Sequence, residues 1–220
     1  MDIQLDSIEV RILASLIEKK ITTPDYYPLT LNSLTAACCQ KSNRNPVVSF
    51  DEKTVVRGIE RLQDKGLVEK IYKADSRVPK YQHLFTERFK FNERDIAILC
   101  ELMLRGGQTP GELRSRAGRM CSFTGLEEVE DVLTGLMDRD EPVVTKLQRQ
   151  FGRKEQRYMH LFSGIIEQEE AGCKMPMEPA AVMVMEEDER IASLESKVES
   201  LSKDFEALKK AFNDFIVEFK

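Results

Sequence analysis

The sequence predicts a mainly α-helical fold with small β-hairpins, made of two tandem copies of one helical unit and a C-terminal coiled-coil helix. Three observations support this prediction. The chain contains an internal repeat, each copy has helical hydrophobic periodicity followed by two short extended segments, and the C-terminal residues follow a heptad pattern. We therefore expect one domain at residues 1–88, a second at 89–163, a linker at 164–188 and a coiled-coil helix at 189–220.

The internal repeat is clearest at the two ends of each copy. EVRILASLIEKKITTP (residues 9–24) aligns with DIAILCELMLRGGQTP (residues 95–110) at an offset of 86. SRVPKYQHLF (residues 76–85) aligns with RKEQRYMHLF (residues 153–162) at an offset of 77. The second copy has therefore lost nine net residues, which we place around DYYPLTLNS. Because the apolar spacing between these ends also agrees, the pattern indicates a duplication.

The first copy begins with three predicted helices. An amphipathic helix at residues 5–20 precedes a short second helix near residues 30–40. Ser49 and Glu52 have the spacing of a capping box at the start of the third helix. This helix should end just before Gly66, because glycine readily adopts the backbone conformation that terminates a helix.

The second copy repeats this order. Its first helix is predicted at residues 93–105 and its second at 110–120. Thr109 and Glu112 form a capping signature, with proline at the first helical position. The segment LEEVEDVLTGLM, residues 126–137, is the third helix, since its apolar residues recur at helical spacing.

Two extended segments follow the third helix of each copy. They are LVEKIY and KYQHLF in the first copy, and PVVTKL and RYMHLF in the second. A polar turn separates the segments, and alternation places Tyr81 and His83 on one face of a strand. Three helices followed by a β-hairpin is the order of a winged helix-turn-helix domain, so the sequence predicts two of these domains in tandem.

The order of elements and the amino-acid sequences of three segments resemble those of the YceH family of uncharacterised bacterial proteins. The segments are LIEKKITTPDYYPLTLNSLTAACCQKSNRNPV, LMLRGGQTPGELRSRAGRM and KEQRYMHLFSG, and the resemblance covers about residues 3–165. It implies tandem winged-helix domains with a variable C-terminal tail. It implies no particular activity.

His83 and His160 are the only two histidines of the chain, and they occupy equivalent positions of the repeat. A catalytic or metal site would need a nucleophile or further ligands within reach, and no acid or cysteine stands at a useful spacing. We interpret both as packing or hydrogen-bonding residues beside the strand tyrosines.

Other signals of enzyme chemistry are missing from the sequence. The glycines of LRGGQTPGE lack the lysine and the spacing of a phosphate-binding loop. The five cysteines show no zinc-ligand spacing, and their odd number fits a reducing compartment. We expect no catalytic residues, no metal and no cofactor.

The charge distribution separates the tail from the rest of the chain. From Gly164 onward 14 acidic and 7 basic residues give a net charge of −7, whereas the first 163 residues carry 24 acidic and 26 basic residues. The overall net charge of −5 therefore does not exclude nucleic acid as a partner. No apolar run approaches the ~20 residues that span a bilayer, and the acidic N-terminus is unlike a signal peptide, so we expect a cytoplasmic protein.

Basic side chains near the third helix of the first copy and in both hairpins predict binding to double-stranded DNA, as a transcriptional regulator or an architectural factor. The alternative for this surface is an ordinary mixture of charges. The expected DNA contacts are Lys41, Asn43, Arg44, Lys53, Arg57, Arg61, Arg77, Lys80, Arg149, Arg153, Lys154 and Arg157.

The third helix of the second copy is acidic, with Glu127, Glu128, Glu130 and Asp131 and no base before Arg139. These charges would repel phosphates, so we expect the second copy to touch DNA only through its hairpin. They also favour the alternative function, a non-enzymatic protein-interaction adaptor built on winged helices, with a protein partner at this helix.

The C-terminal residues repeat apolar side chains at alternating spacings of three and four, which is a heptad pattern. It predicts a coiled coil that joins two chains into a homo-oligomer; the alternative is an amphipathic helix folded back on its own domains. The expected self-association residues are Ile191, Leu194, Val198, Leu201, Phe205, Leu208, Phe212 and Phe215.

Overall fold

The computed structural model describes residues 3–72, 78–148 and 155–164. All of them belong to one compact unit, Met1–Glu167. A second unit, Gln168–Lys220, lies outside the described residues, and with it the predicted coiled coil and its eight self-association positions from Ile191 to Phe215. The described fold is mainly helical with small antiparallel β-hairpins, which confirms the predicted class.

The first half of the unit contains three helices and a three-stranded sheet. The strands are all antiparallel and lie in the order β1–β3–β2. The elements are α1 (Ser7–Thr22), a 3₁₀ turn (Pro24–Tyr26), β1 (Leu29–Thr30), α2 (Leu31–Cys38), α3 (Glu52–Asp64), β2 (Val68–Ile71) and β3 (Lys80–His83).

The second half repeats this order after a short connecting helix. An isolated bridge between Gln108 and Tyr158 stands where the first half has its β1–β3 pair. The elements are α4 (Phe85–Phe89), α5 (Glu93–Arg105), α6 (Pro110–Ala117), α7 (Leu126–Met137), β4 (Val144–Lys146) and β5 (Tyr158–His160).

Side-chain caps set the starts of the helices. The Thr109–Glu112 capping box of α6 forms as predicted. The cap predicted for α3 was wrong in its residue: the Asp51 carboxylate, not Ser49, accepts the Thr54 N–H at 2.9 Å. Asp51 stands immediately before the helix, and its negative charge also suits the positive end of the helix dipole.

Helices α1 and α5 form the centre of the core and are buried along almost their whole length. Ala14 and Cys100, which stand at equivalent positions of the repeat, meet where the helices cross: the Cys100 thiol donates to the Ala14 carbonyl at 3.4 Å. Equivalent residues touch only near a two-fold axis, so the halves pack like the subunits of a symmetric dimer. Gly58 lets α3 approach α1, since a Cβ there would lie 2.5 Å from the Ile12 side chain.

Both histidines face the core on the strand beside their tyrosine. His83 is 2% exposed and His160 3% exposed. The His83 ring lies 6.1 Å from the Tyr27 ring and the His160 ring 6.0 Å from the Phe162 ring, between centroids. Burial lowers the pKa of His83 to about 3 and that of His160 to about 4. The packing role predicted for this pair is confirmed.

The histidines predict a loss of stability in mild acid. Their folded pKa values lie below the ordinary value of about 6.5, so the unfolded chain binds more protons below that pH. Each histidine should therefore cost about 2 kcal/mol of unfolding free energy between pH 6.5 and pH 5, and none above pH 7. Urea denaturation at both ends of this range measures the difference.

A double variant, His83→Leu with His160→Leu, serves as the control because it keeps all other titrating groups. Its unfolding free energy should change much less between these pH values than that of the wild type. An equal change in both proteins would contradict the prediction.

Candidate nucleic-acid interface

Helix α3 has one buried face and one outward face. Val55, Ile59 and Leu62 pack into the core, whereas Lys53 and Arg57 are exposed. Within the described part of the chain, neither Lys53 nor Arg57 forms an ion pair or a hydrogen bond through its side chain. These two cations are therefore available to a ligand. They share the outward face with the exposed acids Glu52, Glu60 and Asp64.

Two other bases of α3 bind acids of the same chain. The Arg61 guanidinium pairs with Asp6 at 2.6 Å, and the Lys65 ammonium pairs with Glu9 at 2.7 Å. Arg61 also donates to Glu9, whose side chain is 1% exposed. Arg61 thus ties α3 to the beginning of α1, and its predicted role as a DNA contact is not supported by this arrangement.

The three DNA contacts predicted in the turn before α3 differ in how exposed their side chains are. Lys41 is exposed and remains available. Asn43 is half-buried with a φ of 58°, and its side-chain oxygen accepts from Arg105 of α5. Arg44, in contrast, turns inward.

The Arg44 guanidinium is fully buried between α1 and α2. Its side chain is 0% exposed and forms a two-pronged ion pair with the Glu18 carboxylate. It also donates to the Ala37 carbonyl, from Nε at 3.2 Å and from Nη2 at 2.8 Å. The expectation that Arg44 contacts phosphate is therefore corrected: this charge is enclosed by the protein and cannot reach a duplex.

The Arg44–Glu18 pair belongs to a larger ionic network that joins the two halves. Arg119, which follows α6, pairs with Glu18 and also with Glu101 of α5, at 2.6 Å. Arg105 pairs with the other oxygen of Glu101 at 3.1 Å. The network holds two acids and three guanidinium groups; both carboxylates and Arg44 are buried, whereas Arg105 and Arg119 are partly exposed. We call it the central ionic network.

The surrounding charges determine how these groups ionise. Burial by itself would raise the pKa of Glu18, but the Arg44 and Arg119 guanidinium groups hold it below its ordinary value. Burial would lower the pKa of Arg119, but hydrogen bonds and charge from Glu101 and Glu18 raise it instead. The Glu18 carboxylate and the Arg119 guanidinium are thus both kept in their charged forms.

The β2–β3 hairpin of the first half presents basic and aromatic side chains. Tyr72, at the end of β2, is 70% exposed. The exposed Lys70 ammonium lies 5.2 Å from the centroid of its ring. Lys80, on the partner strand, is half-buried, and the predicted contact Arg77 lies outside the described residues.

The predicted contacts of the second half are mostly beyond the described residues. Arg149, Arg153 and Lys154 fall in the segment that the structure leaves undescribed. Arg157 is half-buried, and its guanidinium donates to the Gly107 carbonyl. Arg157 therefore supports the β5 strand rather than facing outward.

Helix α7 carries the opposite charge to α3 at equivalent positions. In this part of the repeat, adding 74 to a residue number of α3 gives its counterpart in α7. The buried residues Val55, Ile59 and Leu62 then correspond to the buried residues Val129, Leu133 and Leu136. The same offset sets Lys53 opposite Glu127 and Arg57 opposite Asp131. The acidic third helix was expected from the sequence, but its position-by-position match to α3 was not, because the offset changes along the repeat. The caps Thr30 and Thr109 are 79 apart, after seven extra residues that hold the 3₁₀ turn and β1.

Among the described residues, no group of three or more His, Cys, Asp or Glu side chains is arranged to hold a metal ion. None of the helices in the described ranges is both long enough and apolar enough to cross a bilayer.

Comparison with known sequences shows where the chain belongs. A family model described as "Protein of unknown function, DUF480" matches residues 5–153. The chain belongs to the DUF480 family. The matched residues of this DUF480 chain include the three helices of both halves. The family resemblance seen in the quoted segments is thereby confirmed.

Individual relatives match this DUF480 protein over most of its length. A UPF0502 protein of Geobacter sulfurreducens is 51% identical over 202 residues, which covers 91% of each chain. A UPF0502 protein of Geotalea uraniireducens is 47% identical over 221 residues and 100% of each chain. A third, from Photobacterium profundum, is 41% identical over 214 residues, covering 95% of this chain and 96% of the relative.

The central ionic network predicts a large cost for removing one of its acids. Glu18→Gln keeps the shape of the side chain but leaves Arg44 buried without a countercharge. We expect it to lower the unfolding free energy by about 3–5 kcal/mol, measured by urea denaturation. Glu112→Gln breaks the half-exposed Glu112–Arg116 ion pair but keeps the side-chain oxygen that caps α6, so it should cost less than about 1 kcal/mol. Equal costs for the two variants would show that the network does not hold the halves together.

Proposed function

We propose that this chain binds double-stranded DNA through a winged helix-turn-helix domain in its first half, as a transcriptional regulator or an architectural factor. The order α1–β1–α2–α3–β2–β3 supports the proposal, because winged helix-turn-helix domains use this order. In helix-turn-helix proteins the recognition helix lies in the major groove. Helix α3 would fill that place, with the β2–β3 hairpin beside the DNA backbone.

The observation that carries the proposal is the outward pair Lys53 and Arg57 on α3. Both are exposed, and neither is held by another side chain in the described residues. Lys41, before the helix, and Lys70, on the hairpin, are also exposed. Tyr72 adds an exposed ring that can pack on sugar or base edges.

The expected affinity is low and depends on salt. Each phosphate that a lysine or arginine neutralises adds about 0.9 to the slope of log affinity against log salt. Few free cations remain on α3, and Glu52, Glu60 and Asp64 oppose them on the same face. We therefore expect weak, largely non-specific binding by a single chain.

The second half shares the element order and would form the second winged helix of a tandem pair. Its third helix is excluded from the groove, because Glu127, Glu130 and Asp131 would face phosphates. Its contribution would come from Arg149, Arg153 and Lys154 in the β4–β5 hairpin. If the predicted C-terminal coiled coil pairs two chains, two first halves could contact paired half-sites and raise the affinity.

The test is fluorescence anisotropy with random-sequence duplex DNA between about 50 mM and about 200 mM salt. Changing Lys53 and Arg57 to Ala should lower the salt slope by about two units and weaken binding at every salt concentration. The matched control changes Lys20 and Arg88 to Ala, which removes the same charge from exposed positions outside α3. It should leave the slope close to that of the wild type.

Two outcomes would overturn the proposal. The first is no binding by the wild type at the lowest salt concentration, with circular dichroism showing a folded protein. The second is an equal loss of slope in the α3 variant and in the control. Either result would leave the protein-interaction adaptor as the remaining candidate function, with the acidic face of α7 as its contact surface.

A further inference from the structure

The outer surface of α7 combines negative charge with a groove. Glu127, Glu130 and Asp131 are exposed and form no ion pair within the described ranges. Beside them a groove of about 480 Å³ separates α6 from the N-terminal end of α7. Leu126 is 45% exposed at its edge. The lining residues are Gly111, Arg114, Ser115, Gly118, Ser122, Phe123 and Leu126.

The groove is lined by residues of the second half. Gly111, Ser115 and the Arg114 side chain form the α6 wall, and Phe123 and Leu126 supply apolar surface on the other. The position equivalent to Leu126 in the first half is Glu52, which is charged. The α6–α7 surface is therefore suited to a partner with an aliphatic side chain and positive charge.

The outward surface of α3 offers both positive charge and an exposed aliphatic side chain beside the helix. Lys53 and Arg57 stand at the positions where α7 has Glu127 and Asp131. Val47, in the segment that leads into α3, is 55% exposed. Lys53 and Arg57 of α3 are thus complementary in charge to Glu127 and Asp131 of α7, and an exposed aliphatic residue stands near each helix in the sequence.

The two surfaces do not satisfy each other inside one molecule. No ion pair joins α3 to α7 among the described residues, since the bases of α3 that do form ion pairs, Arg61 and Lys65, bind acids at the start of α1. The other face of each helix is buried in the same compact unit. Within the described residues, therefore, neither surface is covered by its own chain.

We propose that α3 of one copy of this chain docks on α7 and the α6–α7 groove of a second copy. Lys53 and Arg57 pair with Glu127 and Asp131 of the other copy, and Val47 packs toward Leu126. Exposed ion pairs each contribute less than about a fivefold gain in affinity, so this contact is weak and is screened by salt.

The contact has a consequence for ligand binding, and this part alone rests on the proposed DNA binding. Helix α7 presents negative charges to α3 just as phosphates would. A second copy and a duplex therefore compete for the same cations. Self-association through α3 and α7 would then keep the DNA-binding face of α3 covered until DNA displaces the second copy.

The test uses full-length protein and sedimentation velocity at about 50 mM and about 500 mM salt. The first variant changes Lys53 and Arg57 to Glu, and the second changes Glu127 and Asp131 to Lys. Each by itself should lose the salt-sensitive part of the self-association, with an association constant reduced about tenfold or more. A salt-insensitive association through the C-terminal helix would remain the same in every variant.

Complementation makes the test specific. Mixing the two variants pairs an unchanged α3 with an unchanged α7, so the mixture should recover the salt-sensitive association. One chain that carries all four changes should recover it as well. A control with Asp25→Lys and Glu155→Lys, which alters two exposed acids elsewhere by the same charge, should behave as the wild type.

The proposal is overturned if neither variant changes the association, or if the mixture and the fourfold variant fail to recover it while both remain folded by circular dichroism. Its failure can be told apart from failure of the DNA proposal. The α7 variant leaves α3 intact, so it should bind duplex DNA more tightly than the Asp25→Lys, Glu155→Lys control of equal charge if both proposals hold. It should still lose self-association if only the docking proposal holds.

Discussion

The pairing of buried charges between the two halves is the interaction on which the rest of this structure depends. Glu18 and Glu101 lie on the two central helices, and Arg44 and Arg119 come from the turns that follow α2 and α6. A buried ion costs several kcal/mol unless its partners compensate it. Because each member compensates another, the two helices and the two turns have to hold their positions together.

This constraint extends to the surface. Arg44 also donates to the Ala37 carbonyl at the end of α2, and Asn43 accepts from Arg105. Side-chain contacts of Asn43 and Arg44 to the helices below therefore anchor the turn that leads into α3. As a result, the outward face of α3, with Lys53 and Arg57, is presented by a supported segment rather than by a loose loop.

The two halves have the same apolar positions but different charges. Val55, Ile59 and Leu62 and their counterparts in α7 fill equivalent core sites, where volume and shape restrict the choice of residue. The outward positions face no such restriction, and there the cations of α3 are replaced by the acids of α7. One fold therefore presents opposite charges at equivalent outward positions, with Lys53 and Arg57 in α3 and Glu127 and Asp131 in α7.

Hydrophobic periodicity and capping patterns by themselves determined the helical class, the repeat and the bounds of α5 and α7, because these depend on neighbours within a turn or two. They did not separate Asp51 from Ser49 as the cap of α3, and they missed β1 and α4, which are too short to show a period. The tertiary structure decided which charges reach the surface. Arg44 and Lys53 look alike in a polar sequence, yet Arg44 meets Glu18, 26 residues earlier in the chain, whereas Lys53 faces outward. Contacts between distant segments set burial, and burial determines which cations can bind a partner.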